Sequence, residues 1–142
     1  MNIPKGFKQT EVGVIPDDWE AVDFSDLISS TQLGGNYQTN GIDNGLPLVK
    51  MGNLGRGNIV LSKIEFIATS IDISERDRLK YGDVLFNTRN TLKLVGKVAV
   101  WKDELPVAYF NSNIMRIYFN AEKLGSNFLM NYILNSKRFI AQ

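Results

Sequence analysis

The sequence predicts an α+β domain, mainly β, with a curled sheet as its core and a helix at its C-terminal end. Three observations carry this. Short runs rich in Val, Ile and aromatic residues alternate with turn clusters of Gly, Asn and Asp across residues 46–119, which is the pattern of successive strands. The hydrophobic period changes near the end, where Phe128, Leu129, Tyr132, Ile133 and Ser136 fall on one helical face. The chain has 142 residues, 44% hydrophobic and 22% charged, enough for one domain with a real core.

Taken in order, residues 1–18 read as an N-terminal arm, punctuated by Pro4, Gly6, Gly13 and Pro16 and lacking an amphipathic period. The domain proper is expected over residues 19–142, with Trp19, Val22 and Phe24 as its first core anchors. A short helix is expected at Asp26–Leu33, with Ser25 as its N-cap. Gly34–Gly41 is a polar loop, Leu46–Met51 an apolar strand and Gly52–Gly57 a turn. Ile59–Phe66 alternates as a strand does, with a parity shift near Lys63 that marks a bulge. Ser70–Tyr81 is charged, with room for one helical turn. Val84–Phe86, Val95–Trp101, Val107–Phe110 and Ile114–Phe119 complete the strands, and Ser126–Ile140 reads as the amphipathic helix.

Composition removes several function classes. No apolar run reaches the roughly eighteen residues of a membrane span, and the N-terminus lacks the apolar stretch of a secretory signal. There is no cysteine, hence no disulfide framework; together these suit a cytoplasmic location. Histidine is absent as well, which excludes the usual Ser-His-Asp and Cys-His systems and structural zinc. Gly52–Gly57 fits neither phosphate-binding fingerprint. No lysine has Asp or Glu two positions before it, which disfavours one common nuclease pattern. Asp83 reads as a turn or cap carboxylate. No catalytic residue, metal ligand or cofactor is expected, although a pair of distant carboxylates stays open.

The net charge of +1 is unevenly spread. Residues 1–49 carry two Lys/Arg against seven Asp/Glu, residues 50–102 ten against five, and residues 103–142 four against three. The basic middle places Lys50, Arg56, Arg89, Lys93, Lys97 and Lys102 near turns. Such a stripe is either a phosphate-facing surface or a solvated face. Within it, Gly82–Leu85 and Phe86 run into Asn87, Thr88, Arg89, Asn90 and Thr91. Arg and Asn are the side chains that make paired hydrogen bonds to guanine and adenine; the same residues also build ordinary polar turns.

Four segments in register resemble the specificity subunits of Type I restriction-modification systems. These are Lys8–Glu20, Leu46–Leu54 with Gly57–Ile59 after it, Gly82–Asn90 with Leu94–Lys97, and Phe110–Ile117 with Asn127–Phe139. The resemblance implies a target-recognition domain that reads one half of a split DNA sequence. It also implies methyltransferase and restriction subunits as partners, which would hold the catalysis. On this comparison the chain is expected to stop where the first spacer helix would begin. Physical reading of the residues agrees: Arg89, Asn87, Thr88 and Asn90 are the candidates for base contacts, and Lys50, Arg56, Lys93 and Lys97 for phosphates. Gly35–Thr39 and Asn111–Asn113 are secondary candidates. Two readings from other classes remain, a small carboxylate-dependent enzyme and a protein-interaction module.

Overall fold

A computed structural model describes residues 2–21, 23–41, 44–89 and 97–120, with Asn127, Phe128, Asn131 and Asn135 beyond them. Two four-stranded sheets and one hairpin make up the described fold. In chain order the strands are β1 (Phe7–Thr10), β2 (Gly13–Pro16), β3 (Ile28–Leu33), β4 (Thr39–Asn40) and β5 (Gly45–Val49). They continue with β6 (Glu65–Ala68), β7 (Val84–Asn87), β8 (Val98–Val100), β9 (Tyr109–Phe110) and β10 (Ile114–Phe119). One sheet runs β3-β10-β7-β8, all antiparallel. The other runs β4-β6-β5-β9, with β5 and β9 parallel. The mainly β expectation stands.

Strand alternation sorts the core into three parts. The central cluster holds Val49, Leu54, Leu85, Ala99, Trp101, Phe110 and Ile114, from both sheets and the turns between them. Trp101 and Phe110 are fully buried within it, and aromatic side chains of this size each remove on the order of 150–250 Å² from water. Val84 and Val98, one residue out of step with Leu85 and Ala99, pack on the outer face against Leu27, Phe86 and Phe119. Leu48, Ile67 and Tyr109 form a third cluster with Tyr37, Leu46 and Ile71.

Gly34 and Gly35 make the crossing between the sheets possible. A Cβ on Gly34 would strike the backbone oxygens of Phe110 and Asn111, and one on Gly35 would strike the Tyr37 ring and the Asp77 carboxylate. With no side chain in the way, Gly34 N–H reaches Ile114 O at 3.2 Å and Gly35 N–H reaches Phe110 O at 3.1 Å.

Several local expectations change. The helix expected at Asp26–Leu33 is a single 3₁₀ turn at Phe24–Leu27 followed by β3. β10 supplies a partner edge there, and pairing from Leu33 to Ile28 outweighs local helix preference. The parity shift near Lys63 is a turn, not a bulge: Lys63 adopts φ 60°, and Ile64 N–H closes on Leu61 O. Trp19 is 61% exposed and is no core anchor; the arm before it pairs into the β1–β2 hairpin. The helical turn expected within Ser70–Tyr81 is present as a 3₁₀ turn at Glu75–Asp77.

Most of the expected helix at Ser126–Ile140 lies outside the described residues. Asn127, Phe128 and Asn131 are helical and Asn135 is in a turn. Three of these residues recur at four-residue spacing and donate to sheet and turn carbonyls. Asn127 Nδ2 meets Gly82 O at 2.8 Å, Asn131 Nδ2 meets Gly57 O at 3.0 Å, and Asn135 Nδ2 meets Val98 O at 3.0 Å.

Candidate nucleic-acid interface

Backbone hydrogen bonds bring the polar turns to one end of the two sheets. β7 ends at Asn87, whose N–H donates to Lys97 O at 3.0 Å just before β8 begins. Thr88 donates to Asn113 O through both its N–H, at 3.1 Å, and its hydroxyl, at 2.8 Å. Asn113 N–H in turn donates to Asn111 Oδ1, and Asn111 N–H to Val49 O, where β5 ends. Lys50 follows at once. A continuous row therefore runs from Lys97 through Thr88 and Asn113 to Asn111 and Lys50. Gly57 N–H donates to Val98 O at 2.7 Å, which sets Arg56 against the outer side of β8 near Lys97.

Two surface depressions of about 520 and 510 Å³ open at this end. The first is lined by Lys50, Met51, Gly52, Asn53, Ser62, Lys63, Glu65, Asn111 and Asn113. The second is lined by Asn36, Tyr37, Gln38, Thr39, Lys50 and Glu65. Lys50 and Glu65 belong to both, and their side chains form an ion pair at 3.0 Å. Thr39 Oγ1 donates to the other carboxylate oxygen of Glu65 at 3.1 Å. The Lys50 hydrogen bond holds the Glu65 carboxyl below its usual range; partial burial opposes this, and Thr39 and the Lys50 charge add to the lowering. A third cleft, of about 630 Å³, lies on the arm and is lined by Glu11, Glu20, Asp23 and Asp26 with Lys8 and Val12.

The expected site residues fall in different places. Thr88 and Arg89 are exposed at the end of β7. Among the described residues no carboxylate lies within ion-pair distance of Arg89. Asn87 is 1% exposed, because it continues the inward parity of Leu85. Its Oδ1 accepts from Arg89 N–H at 2.9 Å, so it shapes the turn that presents Arg89, while its buried Nδ2 has no hydrogen-bond partner among the described residues. The alternation Val84-Leu85-Phe86-Asn87 carried that signal. Asn90 and Lys93 lie outside the described residues. Arg56 is exposed and Lys97 half-buried. The secondary candidates Asn111, Asn113 and Asn36–Thr39 line the two depressions. Lys63, which lines the first, was not among the expected residues.

Behind the row stands a buried charge network that sequence reading passed over. Arg116, on the same inward parity as Ile114, is 3% exposed. Its Nη1 pairs with Asp83 Oδ2 at 2.9 Å and donates to Arg78 O at 2.8 Å. Its Nη2 donates to Gln32 Oε1 and Arg76 O, each at 2.7 Å. The guanidinium lies 4.9 Å from the centre of the Phe110 ring and 5.1 Å from that of Tyr118. Asp83 also accepts from Lys80 N–H at 2.8 Å, which makes it the turn carboxylate its context implied. Gln32 Nε2 links onward to Asp77 Oδ1 at 3.2 Å, and the Tyr37 hydroxyl donates to Asp77 Oδ2 at 2.5 Å. Burial, and then the Asp77 hydrogen bond, raise the Tyr37 pKa above its ordinary value. Through Tyr37 the network pins the loop that walls the second depression.

No protein-family model matches the chain. Two curated proteins of Methanocaldococcus jannaschii are similar to it. A putative type I restriction enzyme MjaX specificity subunit is 28% identical over 134 residues, 92% of this chain and 31% of the relative. The type I restriction enzyme MjaVIII specificity subunit is 29% identical over 140 residues, 95% of this chain and 32% of the relative. The chain thus spans about a third of the length of these relatives. Among solved structures, a chain from work on complex assembly and conformational transition of the type I R-M system superposes with a TM-score of 0.59. It is 18% identical, and the match covers 89% of this chain and 28% of that one. The HsdS subunit from Thermoanaerobacter tengcongensis superposes with a TM-score of 0.52 at 16% identity, over 94% of this chain and 34% of that one. In sequence and in fold, the chain is similar to about one third of a type I restriction enzyme specificity subunit.

Proposed function

We propose that this chain recognises duplex DNA in a sequence-specific way, reading one half of a split target as part of a type I specificity subunit. One observation carries the reading most directly. Strand ends from both sheets deliver cations, amides and hydroxyls to a single rim, from Lys97 and Arg89 through Asn113 and Asn111 to Lys50. Cations on such a rim set register on the phosphates, and amide, hydroxyl and guanidinium groups read base edges.

In this reading Arg89 and Thr88, with Asn90, face the bases. Asn87 acts from beneath, holding the turn. Arg56 and Lys97, with Lys93, meet phosphates, and Lys63 joins them. Cleavage and methyl transfer belong to methyltransferase and restriction subunits, with which the whole subunit assembles in the cytoplasm.

A fluorescence titration of labelled duplex DNA with residues 1–142, repeated from about 50 to 200 mM salt, tests the reading, because releasing counterions makes affinity fall with salt. The expected result is weak binding whose logarithm falls linearly with the logarithm of salt. A lone module forgoes the roughly 10²–10⁴ gain that joining two can give. Absence of binding at the lowest salt, or binding indifferent to salt, would overturn the proposal.

A further inference from the structure

We propose that Lys50 and Glu65 together read one G·C base pair, Lys50 donating to guanine O6 and N7 and Glu65 accepting from cytosine N4. The inference rests on the DNA-recognition reading and adds a named base pair and two residues to it.

Among the described residues Glu65 is the one carboxylate lining either depression; apart from Met51 and Gly52, its neighbours there are amides, hydroxyls and two lysines. A carboxylate facing DNA is repelled by the phosphates unless it meets a hydrogen-bond donor. The major groove offers two, cytosine N4 and adenine N6, and adenine sets its N7 acceptor beside the donor. An acceptor-only group is therefore matched to cytosine. Lysine, donor-only, is matched to the two guanine acceptors of the same pair.

The geometry fits this division. Lys50 Nζ and Glu65 Oε2 stand 3.0 Å apart. Guanine O6 and cytosine N4 are themselves hydrogen-bonded, at about 2.7–3.2 Å. A donor and an acceptor at that spacing can each address one of the two atoms without separating from each other. Both residues are held in place beforehand. Glu65 opposes Leu48 in the β5–β6 ladder and is oriented by Thr39. Lys50 is fixed at its backbone, where its N–H donates to Asn53 Oδ1 at 3.0 Å. A carboxylate has about four lone-pair positions, so those not used by Lys50 and Thr39 remain for a base. The side chains are about a third exposed, at 32% for Lys50 and 38% for Glu65, which leaves them within reach of a groove.

Enrichment of a randomised duplex pool by residues 1–142 at low salt, followed by sequencing, tests the assignment. The unaltered chain should enrich G·C at one position. Glu65→Ala should lower that preference roughly tenfold, the scale of one base contact, and leave the other enriched positions as they were. Glu65→Gln, which keeps the shape and the Thr39 contact, should move the preference at that position toward A·T, since an amide pairs with adenine. Thermal unfolding of each variant establishes that it is folded, and the isosteric Gln variant carries the test if the Ala variant is not. A G·C preference that survives in folded variants overturns this inference and leaves the recognition reading standing. An unaltered chain that enriches no sequence overturns both.

Discussion

Arg89 leaves the end of β7 exposed, and its backbone N–H is tied to Asn87 Oδ1. The carboxylate nearest in sequence, Asp83, is already paired with Arg116. Arg89→Ala is therefore expected to leave the unfolding midpoint unchanged and to relax the preference at one base position by about 1–3 kcal/mol; competition between cognate and random duplexes measures this. Lys97→Ala should weaken binding to all sequences alike and reduce the salt slope by about one unit, read from the same titrations at several salt concentrations. Arg116 behaves oppositely. Removing a buried charge strands its partner and typically costs about 3–5 kcal/mol, so Arg116→Ala should unfold at much lower urea. Replacing the pair together, as Arg116→Met with Asp83→Leu, should recover much of the loss. The difference between these arginines is half legible in sequence. Strand parity puts Arg116 inward with Ile114, and Asn87 inward with Leu85. What sequence cannot show is that Asp83 and the carbonyls of Arg76 and Arg78 wait at the inner position, since all three lie more than thirty residues away along the chain.

At the scale of elements, the strands with β-branched and aromatic content, β7, β8, β9 and β10, and the apolar run that holds β5 were readable because burial on two sheet faces demands such residues. β3 was not, since Ile28-Ser-Ser-Thr-Gln-Leu33 has mixed local preference and takes its form from the β10 edge. The β4 pair Thr39–Asn40 is too short to announce itself and rests on β6. The crossing at Gly34 is an element-scale commitment to close backbone approach. Gly34→Ala should force β3 away from β9 and β10 and destabilise the chain by about 1–3 kcal/mol, as overpacking does, measured by denaturant unfolding. The Lys50–Glu65–Thr39 clamp across β5, β6 and β4 has a pH signature. Glu65 titrates below its unfolded value of 4.5, so its stabilising contribution is complete above that pH and is lost as pH falls through the folded-state value. The pair is partly exposed, so the effect is small. The stability difference between the unaltered chain and Glu65→Gln should narrow between pH 6 and pH 3, as urea midpoints would show.

At the scale of the molecule, charge is segregated along the chain, with the acidic first third carrying the arm and its carboxylate-lined cleft. The basic middle third supplies most of the cations at the rim. A net charge near zero conceals this, and the charge count by segment reveals it. The three-dimensional rim itself was not legible, because it is assembled by pairings between distant segments, such as Asn111 with Val49 and Gly57 with Val98. The central claim is that this rim, and no other surface, meets DNA. Amide NMR of residues 1–142, titrated with a short duplex at low salt, tests it most directly. The account predicts shifts concentrated at Lys50, Lys63, Glu65, Thr88, Arg89, Lys97, Asn111 and Asn113, with Lys8–Asp18 of the arm unmoved. Shifts centred on the arm, with the rim silent, would contradict it.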